Sequence, residues 1–130
     1  MTPVQHTLKH LRAEGYFPWP VERNIPCRPP RKVDMYNIID YIAIKPGSTI
    51  GVQITDGVHF AEHDTKILNH ENSLKWVMAG NGLWLYGWRK LKVKRNMKAT
   101  TWEPRIKIYT PADFKPTGMW ECQSILRREA

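Results

Sequence analysis

Acidic side chains are scarce in this chain: 12 Asp and Glu stand against 20 Lys and Arg in 130 residues, a formal net charge of +8. That balance argues against cationic partners and points to a polyanion, nucleic acid before an anionic membrane surface. Cysteine is scarcer still. Cys27 and Cys122 make no disulfide framework, and neither has the CxxC or Cys–His spacing of a zinc site, so both read as ordinary thiols. No apolar run approaches the roughly 18 residues of a membrane span. The first residues lack the apolar stretch of a secretory signal, and the expectation is a cytoplasmic protein without a membrane partner. A glycine-rich phosphate loop, a GxSxG elbow and a Cys–His signature are all missing, which leaves P-loop hydrolysis and serine or cysteine catalysis without support. His6/His10 and His59/His63 have i,i+4 spacing but no third zinc ligand, and read as surface histidines.

What is present is a globular composition, 42% hydrophobic, of a length that fits one domain over 1–130. Thr2-Pro3-Val4-Gln5 has the form of a capping box, and Val4, Leu8 and Leu11 follow at helical spacing up to Gly15. A helix is expected over about 3–14. Pro18, Pro20, Pro26, Pro29 and Pro30 then exclude a long helix or a central strand over 17–32, leaving an extended arm. Ile38 to Ile44 is nearly continuous in β-branched residues, as in a strand covered on both faces, and Ile50 to Thr55 is a second strand. A four-residue connection, 46–49, puts Asp40 opposite Thr55 and Gln53 diagonal to Asp40 on one face. Helices are expected over Gly57–Asn69 and Ser73–Ala79, and a third strand from Leu83.

That third strand divides by parity. Leu83, Leu85, Leu91 and Val93 share one face; Trp84, Tyr86, Trp88, Lys90, Lys92 and Lys94 share the other. A fourth strand repeats the pattern, with Ile106 and Ile108 inward and Arg105 and Lys107 outward. Between Arg89 and Lys107 lie eight cations and one acid, so this stretch holds nearly the whole charge excess. Aromatics running into a cationic stripe suit a surface that stacks bases and grips phosphates, so Trp84, Tyr86, Trp88, Arg89, Lys90, Lys92, Lys94, Arg105 and Lys107 are the candidate nucleic-acid-binding residues. The expected fold class is α/β (α+β): one domain with a mixed central sheet of about four strands flanked by helices.

Asp40 is the chemically informative residue. A carboxylate inside a buried strand is costly unless paired or metal-bound. Gln53 offers a second oxygen from the adjacent strand, and such donors suit a hard cation that keeps several waters.

Asp34 to Ile44, then Ile50 to Thr55, then a helix carrying Lys66-Ile67, resemble the core of the PD-(D/E)xK nuclease superfamily. The small phage-type and Holliday-junction-resolvase-like members are the most similar, over roughly residues 5–110. The resemblance implies a restriction-endonuclease-like fold and metal-dependent phosphodiester hydrolysis in DNA. It further implies Mg²⁺ or Mn²⁺ held by Asp40, Gln53 and the Ile54 carbonyl, with Glu22 or Asp34 added from before the first strand. A homodimer is an allowed assembly. Two positions depart from the motif: Gln53 stands where an acid is usual, and Thr55 where the lysine lies. Lys66, on the following helix, is the candidate replacement. The alternatives are a non-catalytic nucleic-acid-binding module with an eroded site, and an interaction factor docking an acidic protein.

Overall fold

The computed structural model of the protein describes residues 2–26, 28–29, 31–92 and 100–114. Cys27, Cys122, Val93, Lys94, the loop to residue 99 and the tail from 115 lie outside the described residues, as does the Lys92 side chain.

Helix α1 spans Pro3–Ala13, and its capping box forms as expected: the Thr2 hydroxyl accepts from the Gln5 N–H, and Gln5 Oε1 accepts from the Thr2 N–H. Gly15 follows with φ 89°, a left-handed conformation that glycine adopts without a Cβ clash. The proline-rich arm becomes β1 (Phe17–Pro20) and a small hairpin of β2 (Arg23–Ile25) and β3 (Arg31–Val33). β1 forms an outer strand, which prolines tolerate because one side of the strand needs no donors. β4 (Tyr41–Lys45) and β5 (Ser48–Asp56) come next, then α2 (Phe60–Asn69) and α3 (Glu71–Met78), then β6 (Gly82–Lys92) and β7 (Thr100–Tyr109).

The result is an α+β domain: a mixed five-stranded sheet in the order β1-β4-β5-β6-β7, with three α-helices among the described residues. β5 and β6 run parallel and the other neighbours antiparallel. The fifth strand, beyond the four expected, comes from the proline-rich arm.

Both sheet faces are covered, by different helices. Leu11 of α1 packs with Tyr16, Ala43, Ile50, Val52, Tyr86 and Trp88 on one side. Phe60 and Ile67 of α2 and Leu74 and Val77 of α3 pack with Ile38, Ile39, Leu83 and Leu85 on the other. Burial of these apolar faces, at roughly 25 cal/mol per Å², is the main force holding the helices to the sheet.

Three expectations are corrected here. The strand of Asp40 begins at Tyr41, because Tyr36 and Asn37 (φ 53° and 63°) turn the chain tightly and Met35 pairs back with Ile39. The β4–β5 connection has two residues, Pro46 and Gly47 (φ 78°), so Lys45 pairs with Ser48 and not Ile50. A proline followed by a positive-φ glycine meets the demand of a type II turn, which closes the hairpin in less chain than four residues. Finally, Ile108 does not face inward: it is 54% exposed, on the outer strand β7.

Candidate metal and nucleic-acid site

The short β4–β5 turn carries the site's geometry. With Tyr41 paired to Val52, the register continues to place Asp40 beside Gln53, directly rather than diagonally. The Asp40 N–H donates to the Val52 carbonyl at 2.9 Å, and the Ile54 N–H donates to Asp40 Oδ2 at 3.0 Å. The Ile54 N–H is thus a donor to Asp40, and in an extended strand the carbonyl of the same residue lies on the same edge.

Two further acids are delivered by turns. The tight turn at Tyr36-Asn37 returns the chain on itself, with the Ile38 N–H donating to the Met35 carbonyl and the Asn37 N–H to the Asp34 carbonyl. That fold brings Asp34 back beside Asp40, six residues on. Asn72 of α3 anchors the turn by donating to the Tyr36 carbonyl at 3.1 Å. Glu22 arrives because the Val21 N–H donates to the Asp40 carbonyl at 3.0 Å. One carboxylate oxygen from each of Glu22, Asp34 and Asp40 lies within 4.8 Å of the other two. Lys66 of α2 approaches the same cluster, its Nζ 3.8 Å from Asp34 Oδ2.

Gln53 is almost fully buried, at 2% exposure, and ties the acids together. Its Nε2 donates to Asp40 Oδ2 at 3.2 Å and more weakly to Asp34 Oδ2 at 3.4 Å. Its Oε1 has no hydrogen-bond partner among the described residues. An orphaned buried acceptor costs on the order of 1–3 kcal/mol.

The electrostatics are equally unbalanced. Burial above all, then the neighbouring Asp34 and Glu22 carboxyls, push Asp40 up to about 8, against the Ile54 N–H, which favours the anion. Three converging carboxyls, one of them buried and hard to ionise, fit a hard divalent cation, whose charge would relieve their repulsion.

The expected nucleic-acid surface is different from its outline in the sequence. Tyr86 (0% exposed) and Trp88 (6%) are core residues under α1, and Trp84 is half-buried. The Trp88 Nε1–H donates to Thr7 Oγ1 at 2.7 Å, His6 stacks on the Trp88 ring at 5.0 Å, and His10 Nδ1 meets the Tyr86 hydroxyl at 2.9 Å. Tyr86 and Trp88 therefore have no face free to stack a base, while half-buried Trp84 packs edge-on against Tyr16. A strand with a second apolar face has simply been covered by a second helix, and His6 and His10 pack against it rather than facing solvent.

The cations are split between the two sheet faces. Lys90 is exposed on the α1 side, its Nζ 5.2 Å from the Trp102 ring. Arg105, across from Gly87, lies on the α2 side with its guanidinium 4.3 Å from the Phe60 ring. Lys107 is engaged internally: its Nζ donates to Asp64 at 2.8 Å, beside the Tyr109 hydroxyl at 2.6 Å. Arg89 is exposed. Cross-strand partners share a face, so the cations of β7 face away from Lys90, contrary to the single surface expected.

Two features have no counterpart among the sequence expectations. Asp64 and its two donors form a second polar site under β7. On β1, Phe17 and Trp19 are each 62% exposed, and their rings lie 6.3 Å apart, inclined by 24°. The signal was present in Phe17-Pro18-Trp19-Pro20: prolines mark an outer strand, and a spacing of two sets both rings on one side.

No protein family, curated protein or solved structure matches the chain.

Proposed function

We propose that this protein is a divalent-metal-dependent nuclease that hydrolyses phosphodiester bonds in DNA. The observation that carries the reading is the convergence of Glu22, Asp34 and Asp40 within 4.8 Å, two of them bridged by the amide of buried Gln53. The site lies toward the carboxyl end of β5, which runs parallel to β6, and open sheets bind ligands beyond such ends.

Mg²⁺ or Mn²⁺ held there supplies Lewis-acid chemistry, polarising a phosphate and lowering the pKa of a water. Glu22, Asp34 and Asp40 are the residues that would hold it. Gln53 contributes a neutral oxygen once its amide is reversed, since the two orientations have the same shape and differ only in which partner they suit. In the orientation present, its NH₂ bridges the two aspartates and offsets their repulsion. Lys66, 3.8 Å from Asp34, steadies negative charge that develops on the phosphate oxygens, a place the resembled motif gives to the position of Thr55. Thr55 is buried and brings no charge. The restriction-endonuclease-like identity of the fold belongs to this proposal and is supported by the strand–strand–helix order that carries Asp40, Gln53 and Lys66.

The test is a cleavage assay on linear duplex, single-stranded and junction DNA with Mg²⁺ or Mn²⁺, with Asp40→Asn and Lys66→Ala beside the parent. Cleavage by the parent that is lost in both folded variants supports the proposal. Cleavage that persists in folded Asp40→Asn sinks it. DNA binding without cleavage under any metal leaves the non-catalytic binding module in its place.

A further inference from the structure

We infer that the substrate of this site is unpaired DNA, and that Phe17 and Trp19 are the platform on which its bases stack; the inference rests on the nuclease reading for the cleavage of the bound strand. Trp19 pairs with Ile42 across the β1–β4 ladder and Phe17 with Ile44. Cross-strand partners project to the same side, and Asp40 is two residues before Ile42, so the rings and the acid share a sheet face. Ile42 packs into the cluster under α2 and α3, which identifies that face.

Two hollows adjoin the acids, and β1 leads from the rings to the first of them. It measures about 690 Å³ and is lined by Pro20, the last residue of β1, together with Glu22, Asp34 and Tyr36. It shares Asp34 and Asn37 with a smaller one of about 300 Å³ bounded by Lys32 and Lys66. Tyr36 adds a third exposed aromatic ring at the larger hollow, 57% exposed and set there by its left-handed backbone (φ 53°). A strand lying there would meet the Tyr36 ring and the acids with Lys66, and one continuing past Pro20 on the same sheet face would reach Trp19 and Phe17.

Duplex DNA has its bases stacked on each other and offers none to these rings, whereas every unpaired base has a free π-face. Large exposed aromatics on a solvated protein call for an occupant, and a second copy of this chain is the competing one. Two observations disfavour it. Each copy carries +8, so two copies repel. At 62% exposure, two rings of roughly 150–250 Å² each offer about 250 Å², against the roughly 800 Å² per partner of a stable dimer. Strand pairing through the β1 edge is also hindered by Pro18 and Pro20.

The experiment measures the affinity of the full chain for fluorescein-labelled oligo(dT) and for a duplex of equal length, without divalent metal. Parent, Trp19→Ala, Phe17→Ala/Trp19→Ala and Trp19→Phe are compared, with cleavage in Mg²⁺ and sedimentation alongside. Both positions are exposed, so the variants are expected to fold, and circular dichroism checks that. Expected is a loss of about 5- to 100-fold in oligo(dT) affinity for Trp19→Ala, more for the double variant, recovery in Trp19→Phe, and unchanged duplex affinity. Unchanged oligo(dT) affinity, or an equal loss on duplex, overturns the inference even where Asp40-dependent cleavage stands. Ring-dependent binding of oligo(dT) by a parent that cleaves nothing upholds the platform while the nuclease reading fails. A dimeric parent made monomeric by Trp19→Ala assigns the rings to a second copy and overturns it.

Discussion

Replacing Asp40 by Asn removes one ionisable group from the most crowded acidic position in the molecule, and its effect on stability has a sign that depends on pH. In the folded chain burial, followed by Asp34 and Glu22, pushes the Asp40 carboxyl up to about 8 from an ordinary 3.8. A group whose pKa is raised on folding stabilises the fold fully below the unfolded value, and that contribution is lost as pH climbs through the folded value. The parent should therefore lose stability between about pH 4 and pH 8, at no more than about 1.4 kcal/mol per pH unit for one proton. Over that window the loss reaches an upper bound on the order of 5 kcal/mol. Asn keeps an oxygen for the Ile54 N–H but has no proton to lose, so its curve should be flat where the parent's falls. At pH 9 the variant should be the more stable by a few kcal/mol, about 10 °C in Tm for a domain of this size. Near pH 4 the two should agree within about 1 kcal/mol.

Divalent metal should narrow or close that gap. At a concentration about 100 times its Kd, Mg²⁺ stabilises the parent by about 2.7 kcal/mol, and more readily as pH rises because it displaces the Asp40 proton. The Asn variant should respond weakly or not at all. The assay is thermal unfolding by circular dichroism from pH 4 to 9, with and without Mg²⁺. Parallel pH profiles for parent and variant would refute the buried-acid argument, and equal Mg²⁺ shifts would refute Asp40 as a ligand.

The remaining expectations concern its neighbours and the core. Gln53→Glu should tighten Mg²⁺ binding by about tenfold or more and lower metal-free stability at pH 7, since it adds a fourth carboxylate; calorimetric titration and melting check both. Trp88→Ala should cost about 3–5 kcal/mol in urea unfolding, as a core truncation that also removes the indole hydrogen bond to Thr7. A selective loss of DNA affinity with stability intact would show that Trp88 faces a ligand after all. Burial acts to raise the Asp64 pKa, but the Lys107 ammonium and Tyr109 hydroxyl outweigh it and hold it low. Asp64 should therefore contribute stability above about pH 4 that is lost as pH falls further, a dependence absent from Asp64→Asn in acid unfolding. Gly87→Ala places a Cβ against the Phe60 ring and should destabilise by about 1–3 kcal/mol without altering DNA affinity, read from melting and binding together.

Several features were determined by the sequence alone, because they rest on neighbours along the chain. The capping box of α1 joins residues three apart, and Gly15 reflects the steric freedom of a single residue. The alternation in Ile50–Thr55 and the apolar spacing of α2 and α3 declare a strand and two helices, whose ends shift by only a few residues in the structure. The buried carboxylate at Asp40 and its proximity to Gln53 are also legible, since an acid in an apolar run must find a partner.

Everything that depends on what covers a face was decided by the tertiary structure. Parity separates Trp84, Tyr86 and Trp88 from Leu83 and Leu85, but parity is the same whether solvent or a helix lies above. Only the docking of α1 made the aromatic side a core. The β6–β7 register, pairing Arg105 with Gly87 and Lys107 with Leu85, placed the cations of β7 on the side away from Lys90. The acid cluster needed three local closures: two residues at Pro46-Gly47, a left-handed pair at Tyr36-Asn37, and the hydrogen bond from Val21 that brings Glu22. Turn lengths set register, a shift of two residues moves Asp40 from Thr55 to Gln53, and no periodicity along the chain records it.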